Sequence, residues 1–275
     1  MLDWLVFTTL RSADYVLLSL GFALVFGVGR VLNLAHGAFF LLAAYIAYLA
    51  AGLGPFGAGA VSVVAVSLSG AAVFYGLLRP VAQDPDRCMV RCLALNLVVM
   101  EGARLAFGAN AVSVPGALEG SLELVGVTVS AQSLLAVPAA LLTGFATWWV
   151  ASRTHPGRAI RAVAEDAETA RLLGIDPTAT LGATFVASSA LVALAACLLT
   201  PDLVVTPQGW VAPLVKSFAI VVLAGRGSLG RVFGAAVLLA AAEVATSLWW
   251  SESLAELVGL VVILAVLLKR GAERG

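Results

Sequence analysis

Nine long apolar segments fill this chain: 14–29, 34–52, 58–78, 89–108, 132–150, 180–200, 212–224, 231–248 and 254–269, parted by polar or Gly/Pro breaks. In lipid every backbone N–H and C=O needs a partner inside the protein, so such runs have two solutions, a helical bundle or a closed β-barrel. A barrel would show alternating segments of about ten residues. These runs are continuous and mostly close to the roughly 20 residues of a helical span. The expected fold is therefore all-α, a polytopic transmembrane helical bundle of about eight to ten spans, some of them broken or re-entrant. Hydrophobic residues make up 61% of the 275 and charged residues 12%, against about 45–50% and about 25% in a soluble domain. Mean hydropathy is +1.02. We expect a single transmembrane domain over 1–275, seated in the lipid bilayer.

With a net charge of +0 the chain has no global field to attract nucleic acid. Met1 to Leu10 contains Asp3 and lacks a basic leader, which predicts an uncleaved start. Cys88, Cys92 and Cys197 lie in apolar segments without metal-ligand spacing, so no metal site is expected and they read as small buried hydrophobes.

Charge patterning orients the bundle. Arg79, Arg87 and Arg91 surround the break at 79–88; Arg153, His155, Arg158, Arg161 and Arg171 crowd 151–179; Arg226 and Arg231 flank 225–230; Lys269, Arg270 and Arg274 close the chain. The loops at 109–131, 201–211 and 249–253 hold Glu119, Glu123, Asp202 and Glu252 but no Lys or Arg. The two sets alternate, so the positive-inside rule predicts a cytoplasmic basic set and a cytoplasmic C-terminus. Near the start, Arg30 and Arg11 argue in opposite directions, and the N-terminal side stays open.

Three polar clusters interrupt the apolar pattern. In the connection at 151–179, residues 159–173 read as one helix, with Pro156 in its first turn and Gly174 then Pro177 as a stop. Ile160, Val163, Ala167 and Ala170 form a small-residue stripe; Arg161, Glu165, Glu168 and Arg171 lie on the other faces. An interfacial helix would carry large anchors opposite a basic face, so docking into a protein groove is the preferred reading over resting on the bilayer. The second cluster is Gly27, Gly29, Arg30, Asn33, His36 and Gly37, polar groups and glycines where a solute path or a structural inter-helix bond would place them. The third runs from Lys216 through the Gly-rich stretch 224–235. It lacks the Lys-Ser/Thr of a phosphate-binding loop and reads as a tight hairpin between helices. Lys216 either snorkels or faces a cavity, Glu101 pairs locally with Arg104, and Glu243 has no partner within its segment. Asn33, His36, Gly37, Lys216 and Glu243 are the candidate path or gate. No nucleophile motif or nucleotide-binding loop suggests an enzyme, and no cofactor is expected on this chain.

The run from Phe22 to Gly37, FALVFGVGRVLNLAHG, resembles the signature around the first spans of the branched-chain amino-acid permeases of bacterial ABC importers. GRAIRAVAEDAETARLLGI, 157–175, is similar to that family's cytoplasmic loop, and Lys216-Ser217-Phe218 with LAGRGSLGRVFGA, 223–235, to its late Gly-rich element. The chain departs from the usual pattern at Ala224, where a second glycine is common, and at Arg231, where Pro is frequent. The resemblance implies an inner-membrane, multi-pass permease subunit that pairs with a second homologous permease, two cytoplasmic ABC ATPases and an extracytoplasmic solute-binding protein. ATP would be used by those partners. The ATPase-contacting role falls on Gly157, Arg158, Glu165, Asp166 and Gly174. The implied solutes are branched-chain or related hydrophobic amino acids, with urea, short amides or aromatic acids as alternatives. A stand-alone secondary transporter would need coupling carboxylates, for which Glu101 and Glu243 are the candidates.

Overall fold

The computed structural model describes residues 1–29, 33–82, 84–124, 126–225 and 229–272. Arg30, Arg226, Gly227, Ser228 and Arg274 lie outside the described residues. Among the described residues the chain forms eleven α-helices and one short hairpin. The helices are α1 Leu2–Gly29, α2 His36–Leu49, α3 Gly54–Val73, α4 Pro85–Phe107, α5 Ala131–Arg153, α6 His155–Glu165, α7 Ala167–Leu172, α8 Pro177–Leu199, α9 Val211–Ala224, α10 Leu229–Trp249 and α11 Glu252–Ala272. Strands β1 Ser121–Leu124 and β2 Val127–Ser130 pair antiparallel between α4 and α5. A π-helical turn, Phe74–Leu78, and a 3-10 turn, Arg79–Val81, prolong α3.

By length and composition, five helical stretches can cross a membrane: Leu2–Gly29, Ala51–Val81, Ala131–Arg153, Pro177–Asp202 and Leu229–Trp249. Helix α4 is long enough but carries Arg87, Arg91, Glu101 and Arg104. The apolar helices α2 and α9 have 14 residues each, about 21 Å of helix against a hydrocarbon core of about 30 Å. Large apolar side chains such as Val64, Leu68, Leu97, Leu142 and Leu238 stand exposed on the outer faces, as a lipid-facing surface requires.

Helix α1 is the central post, packed on α10, α8, α5 and α9. Leu20, Phe22, Val192, Ala196, Leu239 and Ala240 are fully buried around it. Small residues set the spacing: a β-carbon on Gly21 would lie 2.8 Å from the Ser188 carbonyl oxygen, so α1 and α8 touch backbone to backbone.

Contacts define two opposite ends. At one, Val28 of α1 packs on Val163 and Ala170, and Thr178 lies beside Arg79 and Arg87. At the other, Asp202 accepts hydrogen bonds from Ser130 (2.8 Å) and Ser133 (2.7 Å), and Val112 bridges to Val205. The basic loops at 79–88 and 151–179 thus share one end, and the acidic loops at 109–131 and 201–211 the other. Trp4 donates to the Ala241 carbonyl at 3.2 Å, in the half of α10 next to the acidic end. The side of the N-terminus, open in the sequence, is therefore the end opposite the basic loops.

Candidate functional site

Between α1 and α2 the chain turns back into the bundle. His36, the first residue of α2, has Nε2 2.9 Å from the Leu18 carbonyl oxygen. Leu18 lies roughly 16 Å of helical rise before the end of α1 at Gly29, so α2 begins near mid-membrane and residues 33–35 are non-helical backbone at depth. Lipid tolerates such backbone only inside protein or along a wet cavity. Asn33, Ala35 and His36 are indeed almost wholly buried.

The turn leaves polar atoms without partners. Since a carbonyl only accepts, Nε2 of His36 carries the hydrogen and Nδ1 keeps a bare lone pair, which meets no donor among the described residues. Both side-chain amide atoms of Asn33 also lack partners among the described residues. Asn96 of α4 donates to the Leu34 carbonyl at 2.5 Å, while its own Oδ1 accepts nothing among the described residues. The Phe22 ring meets the imidazole edge-on at 5.6 Å. Gly37 packs against Trp210, just before α9, with room for hydrogen only. Ser217 of α9 donates to the same Leu18 carbonyl at 3.1 Å. Asn33, His36 and Gly37 therefore sit where α1, α2, α4 and α9 converge.

Lys216 and Glu243 meet across α9 and α10: Nζ of Lys216 pairs with Oε1 of Glu243, and the Tyr15 hydroxyl of α1 donates to Oε2. Lys216 also lies 5.8 Å from the Tyr15 ring centroid. The side chains are 14% and 8% exposed, so Lys216 does not snorkel; it is held inside the bundle by a partner 27 residues away. Tyr15, Asn96 and Trp210 were not singled out in the sequence, because each earns its place from a neighbour on another helix. Glu101 pairs with Arg104 at 2.7 Å on the exposed side of α4, as its spacing predicts.

The basic connection departs from the expected single helix over 159–173. Asp166, in extended conformation at φ −151, caps a new helix with its carboxylate, which accepts from the amides of Glu168 (2.9 Å) and Thr169 (3.2 Å). The Thr169 hydroxyl, and after it those two amides, hold the Asp166 carboxyl below its ordinary pKa. The break splits the expected stripe. Val163 and Ala170 turn inward onto Val28, with Ile160 packed beside them, while Ala167 is exposed in the first turn of α7. Gly157 is buried against α5, where a β-carbon would lie 2.5 Å from the Ala151 carbonyl oxygen, and Thr154 caps α6 through the Gly157 amide at 3.3 Å. Gly174 ends α7 at φ +84. The outward surface includes Arg158, Glu165, Asp166, Ala167, Glu168 and Arg171 with Leu172 and Leu173, which are 87% and 75% exposed.

A crevice of about 560 Å³ opens between α1, α5, α6 and α8, lined by Leu24, Val150, Ile160, Ala183 and Leu191 among others, with no charged side chain in its lining among the described residues.

The family model described as the branched-chain amino acid transport system permease component matches residues 4–267. The chain is similar to the high-affinity branched-chain amino acid transport system permease protein BraD of Pseudomonas aeruginosa, 27% identical over 278 residues that cover 94% of this chain and 90% of BraD. It is similar to the permease proteins called LivH of Salmonella typhimurium and of Escherichia coli, each 28% identical over 276 residues covering 94% of this chain and 89% of LivH. No solved structure matches the chain.

Proposed function

The chain belongs to the branched-chain amino acid transport system permease family, and from that premise we propose that it is the membrane-spanning subunit of a bacterial ABC importer for branched-chain or related hydrophobic amino acids. The observation that supports this most is the similarity to such permeases along nearly the whole chain. In this reading the chain provides the path and binds no cofactor, and ATP is bound and hydrolysed by two cytoplasmic ATPases. A second homologous permease and an extracytoplasmic solute-binding protein complete the assembly.

By the positive-inside rule the end bearing the basic loops faces the cytoplasm of an inner membrane. The C-terminus is then inside and the N-terminus outside. The solute path runs past Asn33, His36 and Gly37 and past the Lys216–Glu243 pair, where buried polar groups are otherwise costly in lipid. The ATPase docks on the outward surface of α6 and α7. Arg158, Glu165, Asp166 and Ala167 face it, and Leu172 and Leu173 offer apolar anchors. Gly157, Ile160, Val163, Ala170 and Gly174 shape that surface from within. Cells that gain the assembled transporter should gain uptake of leucine, isoleucine and valine; gain of urea, short-amide or aromatic-acid uptake instead would move the solute assignment to those compounds.

A further inference from the structure

Three helices bring Tyr15, Lys216 and Glu243 together inside the bundle. Such a pair is a poor way to hold helices: removing two charges from water costs much of what their attraction returns, and apolar replacements of similar volume are often neutral or stabilising. Helices α1, α9 and α10 have other means of cohesion. Ile220, Ala236, Leu239 and Ala240 are fully buried among them, and Ser217 ties α9 to α1. The ion pair is therefore surplus to the packing, and a buried ionisable pair within a membrane bundle marks a functional site by default.

Its chemistry is that of a charge-matched receptor. Glu243 offers one carboxylate and Lys216 one ammonium, side by side and neutral in sum. The Tyr15 hydroxyl holds Oε2 while Lys216 holds Oε1, so the carboxylate keeps one anchor if the lysine lets go. On the α11 side the pair faces Gly259, where even a β-carbon would come 3.5 Å from Glu243 Oε1 and 3.8 Å from Lys216 Nζ, so a bare backbone forms that wall.

We infer that Lys216 and Glu243 form a charge-exchange site for zwitterionic solutes, Glu243 receiving the solute's ammonium and Lys216 its carboxylate, with Tyr15 as the positioning residue. This inference rests on the transport reading. A free α-amino acid carries both charges on one carbon, and passing between two opposite charges leaves none of the four unpaired. Urea or a neutral amide would bring only dipoles to the site, and so could not return to Lys216 and Glu243 the full opposite charge that each gives up when the pair opens. The pair thus selects for amino acids with free amino and carboxyl groups.

The test uses the complete transporter in vesicles, with labelled leucine as the probe, and compares wild type with the neutral double variant Lys216→Met/Glu243→Gln and the exchanged variant Lys216→Glu/Glu243→Lys. Both variants are expected to insert and to retain their partner subunits, yet to lose leucine uptake by about tenfold or more, the value of one charge-assisted contact. Tyr15→Phe should raise KM for leucine more than it lowers kcat. Uptake within about twofold of wild type in the neutral or exchanged variant would overturn the inference, since a merely structural pair predicts that result. Failure of the neutral variant to insert would overturn it too, by showing that the packing needs the charges. A wild-type transporter that moves another solute but no leucine would instead defeat the transport reading, and the charge-exchange site with it.

Discussion

Gly37 of α2 lies against Trp210: a β-carbon there would stand 2.7 Å from the Trp210 carbonyl oxygen and 3.0 Å from its ring. The contact joins the start of α2 to the start of α9, the two short apolar helices. Neither the carbonyl nor the partly buried indole can retreat cheaply. Gly37→Val should cost about 1–3 kcal/mol by overpacking, lower the melting temperature of the purified protein and reduce uptake. Gly27, with nothing among the described residues within 4 Å of its β-position, serves as the control. Gly27→Ala should leave both readings near wild type, and equal damage from the two changes would remove the special place of the Gly37 contact.

Asn33 separates transport from folding. Its two amide atoms are buried without partners among the described residues, an arrangement that costs about 1–3 kcal/mol when nothing fills it. Asn33→Leu should therefore leave insertion and thermal stability unchanged or improved. If the amide belongs to the solute path, uptake falls about tenfold. Full uptake by the leucine variant would take Asn33 off the path.

The broken loop helix makes a second separation possible. Leu172→Ser/Leu173→Ser removes exposed apolar anchors, each worth about 1.5–3 kcal/mol if buried by a partner, so recovery of the ATPase with the permease should drop about tenfold or more. Ala167→Asp should leave the loop itself folded, since the residue is exposed and a carboxylate suits the first turn of α7. Val163→Asp would bury an unpaired charge against Val28 and should disorder the loop, read as faster proteolysis there. Unchanged recovery of the ATPase with the double serine variant would place docking elsewhere.

Much of the helical frame was legible because span-length apolar runs have few alternatives in lipid, and each of the nine segments coincides with a helix. The break near Asn33 was legible as well, from glycines and polar residues where an uninterrupted span would have none. The loop was misread at Asp166: at helical spacing it looks like one more charge on a polar face, but Asp competes for backbone amides and starts a new helix instead. Glu243 illustrates a different limit. Its partners Tyr15 and Lys216 come from other helices, and no spacing rule connects positions so far apart.

Orientation is checked by labelling. In a background without Cys88, Cys92 and Cys197, cysteines at Leu2 and Glu119 should react with an impermeant reagent added outside, and one at Glu165 should not. All three positions are exposed on the protein surface. Labelling of Glu165→Cys alone would invert the bundle.

The central claim, that this chain is the path of an ATP-driven amino-acid importer, is tested most directly in proteoliposomes. The assembled permeases and ATPases are reconstituted with ATP and Mg²⁺ sealed in the lumen and the binding protein with labelled leucine outside. Leucine should accumulate inside against its gradient, and should cease to do so when a non-hydrolysable ATP analogue is sealed in or the binding protein is left out. Accumulation by this chain alone, driven by a proton or sodium gradient without ATP, would contradict the claim.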